Sequence, residues 1–594
     1  MPTIRRWLPC VLFVQAAISS PYILAQEITP VSLDSPSVTT QTANLPRAGT
    51  PVITPLPAPD SLATSRPSVS IEMDDFGAGF DQGDITRVNI YSMYEHHRVT
   101  GPGRDASFLE PGSHWLHDLE LDLKRSVNEN WTTEFSSLVR ATDSRRHDPQ
   151  NWSLQRLQLI AYDEMNHVSL GDYYATLSQY TFNRSIKGVG YQRTLTDSSY
   201  LRLVGGSMHS RWNHLVDRVE DEPMDRNAMG LRYQMAGDAY RLGFNLASGR
   251  DRKNDPTRTF EDAYRQVLPG VDWEYRLQSG FRFSGEHAYA WTKKEDINQT
   301  EETLKGSANR LNADGSLGAL RLRGRAERVG SDFYTMAGGA AVDRLRYYAR
   351  GDYRLTPVWS SFVAYDWSQN NLSGHLADTT TTRVPEVGVS ARGLFDRRSL
   401  TMTTSYRQRV VSVDSDPNSR AVSDRVFLSV GDRFGEVSLR GEVEAILNSR
   451  KEVDRQSNDD YLYRIIADSR FVLADGRYDL RPYLSLERQE IEDPTSGKMV
   501  RTNGARLDLR LLAPKNIDYT AMFEVRDVSN NIPNGEDTRL KRYGIGVDSR
   551  PDFMSGGSLR AEAGYADYRF GDADKNYRER YIRLIANIPF DFGS

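Results

Sequence analysis

The chain has 594 residues, with 75 Lys and Arg against 80 Asp and Glu, a net charge of −5 and a mean hydropathy of −0.59. Past the first two dozen residues it holds no apolar run of about 18 residues, which excludes membrane-spanning helices. The near balance of charge leaves no basic footprint for nucleic acid, so no nucleic-acid partner is expected.

The N-terminus reads as a secretory signal over residues 1–25. Arg5 and Arg6 form its positive end, Leu8 to Ile18 is mostly apolar, and Leu24-Ala25 precedes Gln26. Ile23 departs from the small residue usual near such a cut. The single cysteine, Cys10, falls inside this segment, and Leu-Pro-Cys is a poor lipoprotein signal. The mature chain is then expected to lack disulfides, thiolate metal sites, Cys-linked haem and thiol nucleophiles.

Residues 26–80 are dense in Pro, Ser and Thr before turning acidic and glycine-containing. Such a composition buries too little apolar surface to offset ordering, so a flexible periplasmic segment is expected. It is read as a spacer, or as a segment that binds a periplasmic partner.

From residue 81 to 594 the chain reads as hairpins. Runs such as Asp84–His97, Trp115–Val127, Trp131–Thr142 and Trp152–Tyr162 are separated by NEN, DEMN, TDSS, AGD, QSG and similar turns rich in Asn, Asp and Gly. Longer polar connections such as HSRWNHLVDRVEDEP, SQNNLSGHLADTT and NSRKEVDRQSNDD alternate with them. Short turns at one end and longer loops at the other suit a membrane barrel. About 26 strands are expected, with 24 as the lower bound, because His167–Asn183 reads either as one strand or as a broken pair.

The strands divide by chemistry at period two. In Asp343–Leu355, Leu345, Tyr347, Ala349, Gly351 and Tyr353 oppose Arg344, Arg346, Arg350, Asp352 and Arg354. Leu320, Leu322 and Gly324 oppose Arg321, Arg323, Arg325 and Glu327; Leu507 and Leu509 oppose Arg506, Asp508 and Arg510. Val443 and Ala445 oppose Glu442 and Glu444, and Tyr463 and Ile465 oppose Arg464, Asp468 and Arg470. One Arg or Lys facing lipid at the bilayer middle costs about 2–4 kcal/mol, which explains a face kept clear of charge. Trp131, Trp152, Trp273, Trp291, Trp359 and Trp367 lie near strand ends, as interfacial girdles or ordinary packing.

The final strand, YRERYIRLIANIPFDF, resembles the C-terminal strand of Gram-negative outer-membrane barrel proteins. The resemblance assigns Arg583, Ile588, Phe590 and Phe592 to an assembly signal and implies the barrel-assembly machinery as a partner. Gly593-Ser594 beyond Phe592, and Ile585 or Asn587 where a small residue is usual, depart from that pattern. A second stretch, LGDYYATLSQYTFNRSIKGVGY at 170–191, is similar to a turn of ushers and other large export barrels. Ushers also carry a plug domain and soluble terminal domains, and no interval here is long enough for those. The alternative for this stretch is a barrel hairpin with glycines at tight backbone positions.

Two readings stand for the charged rows. Facing water, the arginines would concentrate anions; paired with the acidic residues among them, they would stiffen the wall. His96, His97, His114 and His117 form the one dense histidine group, read as exposed loop residues or as a metal site lacking a carboxylate fixed by spacing. No nucleophile elbow, zinc-protease helix, phosphate loop or haem motif occurs, so neither catalysis nor a cofactor is expected.

The expectation is an all-β, single antiparallel transmembrane barrel in a bacterial outer membrane, contacting lipid and lipopolysaccharide, with both termini periplasmic. At this size the lumen needs filling by loops or by a lumen-filling or periplasmic partner protein. The leading function is a conduit for a bulky polysaccharide, lipid or protein, or a sleeve around a partner. A general or anion-preferring porin with inward loops is the alternative, and a loop-presenting adhesin or anchor a third.

Overall fold

The structure is a computed structural model that describes residues 84–209, 211–216, 224–253, 262–296, 298–414, 416–450, 458–493, 496–531, 535–554 and 556–592. The expected signal, the Pro/Ser/Thr-rich segment and Gly593-Ser594 lie outside the described residues.

Strand after strand, the alternating segments form one antiparallel ladder. The first third comprises β1 (Ile85–Thr100), β2 (Gly112–Ser126), β3 (Thr132–Thr142), β4 (Trp152–Tyr162), β5 (Asn166–Ser178), β6 (Phe182–Thr196), β7 (Ser199–Ser207), β8 (Met224–Ala236) and β9 (Tyr240–Lys253). Next come β10 (Ala263–Arg276), β11 (Arg282–Glu295), β12 (Glu301–Leu317), β13 (Leu320–Val329), β14 (Arg344–Arg354), β15 (Trp359–Asn370), β16 (Thr380–Arg392), β17 (Thr401–Val413) and β18 (Asp416–Phe434). The remainder is β19 (Val437–Arg450), β20 (Asp459–Ser469), β21 (Phe471–Leu473), β22 (Tyr478–Glu492), β23 (Met499–Ala513), β24 (Ile517–Asn530), β25 (Thr538–Ser549), β26 (Ser558–Phe570) and β27 (Tyr577–Asp591).

Both β20 and β21 pair with β22, so they form one interrupted stave, and the 27 segments make 26 staves. β27 then pairs with β1 from Arg87↔Asp591 to Thr100↔Arg578 and closes the sheet. Closure removes the edges of the first and last strands, and it is closure that allows a sheet to stand in hydrocarbon. At the seam, Glu95 lies directly opposite Arg583 and accepts hydrogen bonds from it at 3.0 and 3.1 Å, both groups being almost fully buried.

The outer face is apolar and uncovered. Tyr347, Val363, Tyr365, Phe523, Ile545 and Ile582 all point outward and are well exposed. A soluble monomer rarely exposes more than a few hundred Å² of contiguous apolar surface, so a wall of this extent is a lipid-facing surface. Trp273, Trp291 and Trp367 lie on the same face. Asp84 and Phe592 come to the same end of the barrel, since the number of staves is even. Most connections at that end are short, and most at the far end are long. A notable exception at the far end is 179–181, and its shortness has a cause: that hairpin turns into the barrel.

Candidate functional site: the lumen

The stretch that reads as a broken pair is a complete hairpin bent out of the wall. β4 pairs with β5 only from Gln158↔Gly171 to Tyr162↔His167, and β6 pairs with β7 only from Lys187 onward. Beyond those points β5 and β6 keep each other as partners, from Asp172↔Lys187 to Ser178↔Phe182, and leave the wall together. The bend lies at Gly171 and Gly188, which face each other. Gly171 has φ +95°, a region that side chains rarely adopt, and a Cβ there would strike the Leu157 carbonyl. At Gly188 a Cβ would strike Gly205 and Gly206 of β7. The tight-backbone reading of these glycines therefore holds.

The gap left beside β4 is stitched with polar contacts. Asp172 accepts from Lys187 Nζ at 2.5 Å, from the Leu157 amide at 2.8 Å and from the Trp212 indole. Arg211 pairs with Asp148 at 2.6 Å, joining the β7–β8 connection to the β3–β4 connection.

Inside the barrel the hairpin is amphipathic. Tyr173, Ala175, Leu177, Tyr180, Phe182 and Ile186 are buried, Tyr180 and Phe182 at 0% exposure. Tyr174, Thr176 and Ser185 remain exposed. The buried side rests on an inner wall paved with small residues. Ala228, Ala247, Ala288, Ala290 and Ala308 are in the same cluster, and glycines complete it. A Cβ at Gly230 would collide with Leu177, and one at Gly270 would come to 2.7 Å from Thr181.

The β13–β14 connection, residues 330–343, folds inward over the hairpin tip. Phe333, Met336 and Ala337 are buried, and the Phe333 ring meets the edge of Tyr180 at 5.9 Å. The Asn183 amide donates to the Ala337 carbonyl at 2.8 Å and the Gly339 amide to the Gln179 carbonyl at 2.9 Å. The wall holds both pieces. Glu286 accepts from the Tyr180 amide at 2.7 Å, Glu327 accepts from the Tyr180 hydroxyl at 2.6 Å, and Gln266 accepts from the Met336 amide at 2.9 Å. Arg202 and Arg232 donate to the Thr176 and Leu177 carbonyls. Each buried backbone group thereby gains a partner, without which its desolvation would cost about 1–3 kcal/mol.

These contacts fix the direction of every charged row. Glu327 reaches the hairpin, so it faces the lumen, and residues directly opposite on neighbouring strands share a face. Arg321, Arg323 and Arg325 lie on the Glu327 side of β13. On β14 their partners in register are Asp352, Arg350 and Tyr348, with Arg346 opposite Glu327. Arg344 and Arg354 lie on the same face at the two ends of β14, and neither has a carboxylate partner among the described residues. The succession of registers carries this face on to Glu442, Glu444 and Arg464, and then to Arg506, Asp508 and Arg510.

Most of these charges are paired. Arg346 binds Asp366 at 2.6 Å, Arg425 binds Glu444 at 2.8 Å, Arg464 binds Glu487 at 2.7 Å and Glu442 at 3.4 Å. Arg506 binds Asp508 at 2.7 Å, Arg510 binds Asp518 at 2.5 Å, and Arg321 binds Asp314 at 3.3 Å. Arg470 sits between β20 and β21 and pairs with Asp479 at 2.9 Å. Much of the charged face is thus laced together as wall, while Arg323 and Arg350 share one carboxylate, Asp352, each at 2.8 Å.

The four histidines of the group divide between the two faces of the wall. His97 and His114 face inward, with ring centroids 6.2 Å apart, and His97 lies 3.4 Å from Glu95. His96 and His117 are on the lipid side, bonded to Ser113 and Ser92 at 2.9 Å each. Glu95 also binds His147 at 3.0 Å. Among the described residues no group of three or more His, Cys, Asp or Glu is placed to hold a metal. In the last strand Arg583 is the inward seam residue, whereas Ile588 and Phe590 point outward and Phe592 is exposed.

No family matches the chain, and no curated protein matches it. Solved structures similar to it are Gram-negative outer-membrane β-barrels. The P pilus usher translocation pore, PapC, is 9% identical and superposes with a TM-score of 0.35, covering 85% of this chain and 99% of its own. A variant of OccD1 (OprD) is 11% identical with a TM-score of 0.30, over 63% of this chain and 97% of its own. A mutant of the ferric enterobactin receptor of Pseudomonas aeruginosa is 11% identical with a TM-score of 0.39, over 86% and 81%. The likeness is one of barrel architecture.

Proposed function

We propose that the chain is a bacterial outer-membrane conduit for a bulky hydrophilic substrate, narrowed by its own hairpin and loop and performing no chemistry. The observation that carries this reading is the division of the lumen. The hairpin and residues 330–343 pack against β7–β13, while most inward side chains of β14–β25 are only partly covered. Barrels of about 16–18 strands already hold an aqueous channel, so 26 staves with one side filled leave room for a passage.

Both termini lie on the periplasmic side in this reading, which presents the expected segment 26–80 to a periplasmic partner. Lipid and lipopolysaccharide contact the outer face, and the barrel-assembly machinery takes the last strand. Single-channel recording in planar bilayers tests the function, with dextrans of graded size as blockers. Steady openings interrupted only by large dextrans support it. A barrel that conducts in no condition overturns it.

A further inference from the structure

We infer that the lumen wall over β13–β18 is a binding track for an acidic polysaccharide. This deepens the conduit reading and rests on it. The register places Arg323, Arg350, Ala364, Glu386, Arg407 and Arg425 in one continuous cross-strand row. Two pairs in that row, Arg323↔Arg350 and Arg407↔Arg425, set like charges directly opposite each other. Such pairs oppose folding, so a wall built only for rigidity would not gather them.

Carboxylates in contact do not cancel the row. Arg323 and Arg350 divide one aspartate, and Arg425 holds Glu444. Arg407 stands opposite Glu386 in register but makes no ion pair with it or with another carboxylate among the described residues, nor do Arg325 and Arg409 on the same face make one. Among the described residues Arg325 bonds only the neutral Asn312 Oδ1, at 3.1 Å. Counted in staves, β2 stands half a circumference away from β15. There Asp118 and Glu120 face the lumen, paired with Arg140 and Arg156 at 2.8 and 2.6 Å. Positive charge is thus concentrated on one open arc of a chain whose net charge is −5.

The length of the row says what kind of anion it fits. Five interstrand spacings of about 4.8 Å separate β13 from β18, or roughly 24 Å, longer than any small metabolite. Strand tilt turns the row into a diagonal along the passage, matched to a chain with anions at intervals. The guanidinium fork suits carboxylate or phosphate equally. Two rings on the same face decide between them: Arg350 lies 4.0 Å from the Phe362 ring centroid and Arg425 lies 5.8 Å from that of Phe427. Arg350 covers one face of Phe362 and Gly388 lies under the other, so the ring edges and Phe427 supply the apolar contact that a sugar ring can use and a polyphosphate cannot. Stacking also holds the guanidinium planes, so less freedom is lost on binding.

The test uses the full-length protein, polyuronate oligomers, polyphosphate and neutral dextran of matched length. Binding is read in detergent by tryptophan fluorescence, and current block in planar bilayers. The track predicts polyuronate effects at concentrations about tenfold or more below those of dextran or polyphosphate. The R350Q/R407Q/R409Q variant should lose at least about tenfold in polyuronate affinity while dextran block is unchanged. Its folded fraction is checked by heat-modifiable mobility, and if it fails to fold, R407Q alone is read the same way. Equal affinity for polyuronate and dextran overturns the track, and polyphosphate binding as tightly overturns its saccharide specificity. A channel that never conducts overturns the conduit reading, while the binding assay still decides the track.

Discussion

Phe182→Ala is the sharpest perturbation of the luminal assembly. Phe182 has 0% exposure and belongs to the cluster with Leu177, Val204 and Ala228. A buried Phe→Ala change costs about 3–5 kcal/mol, from lost transfer energy and the cavity left behind. The bend at Gly171 and Gly188 lets the hairpin leave its bed without unpairing the wall, so the cost falls on docking. At tenfold per about 1.4 kcal/mol, the undocked-to-docked ratio rises by about two to three and a half orders of magnitude. In planar bilayers the variant should dwell in larger-conductance states that the parent visits rarely. Gly230→Leu, which drives a side chain into the space of Leu177 and Phe182, should do the same from the wall side. Heat-modifiable migration should remain in both, because the ladder below the bend is untouched. Unchanged conductance histograms in both folded variants would refute the docking argument.

Other consequences follow from the same contacts. Arg583→Gln leaves Glu95 buried at the seam without its guanidinium, and a broken buried pair costs about 3–5 kcal/mol. Urea titration in vesicles should show that loss, with the Glu95→Gln/Arg583→Gln double variant recovering part of it. Val363→Arg puts a charge on the lipid face and should lower stability by about 2–4 kcal/mol, whereas Ser405→Arg, facing the lumen, should change it by less than 1 kcal/mol or so. Gly171→Val forces a branched side chain into φ +95° and against the Leu157 carbonyl, so folded yield after refolding into detergent should fall.

Period-two alternation made the staves legible in the sequence, and Arg344, Arg346 and Arg350 were separable from Leu345, Tyr347 and Ala349 without coordinates. Closure at about 26 staves followed from counting turns. The inward hairpin was not legible as such, because alternation continues unbroken from Gly171 through Ser178 whether the segment faces lipid or lumen. A signal did exist: Gly230, Gly249, Gly270 and Gly306, with Ala228, Ala247, Ala288 and Ala308, fall on the inward parity of consecutive strands. A lumen wall facing only water has no reason to be so smooth. Ion pairing was illegible for a different reason. That Arg323 faces Arg350 and reaches Asp352 depends on register, and turn lengths alone do not set it. For the histidines the split of His96 from His97 follows from alternation alone, whereas the approach of His147 to Glu95 depends on how the loops fold.

Locking the hairpin to the loop tests the central claim most directly. The Asn183 amide and the Ala337 carbonyl are 2.8 Å apart, close enough for a disulfide between Asn183→Cys and Ala337→Cys in a chain whose own Cys10 is changed to serine. Single-channel recording of this protein with and without reductant should show only small openings when oxidised, and the parent's larger openings restored on reduction. Large openings that persist with the disulfide formed would contradict a lumen narrowed by the docked hairpin.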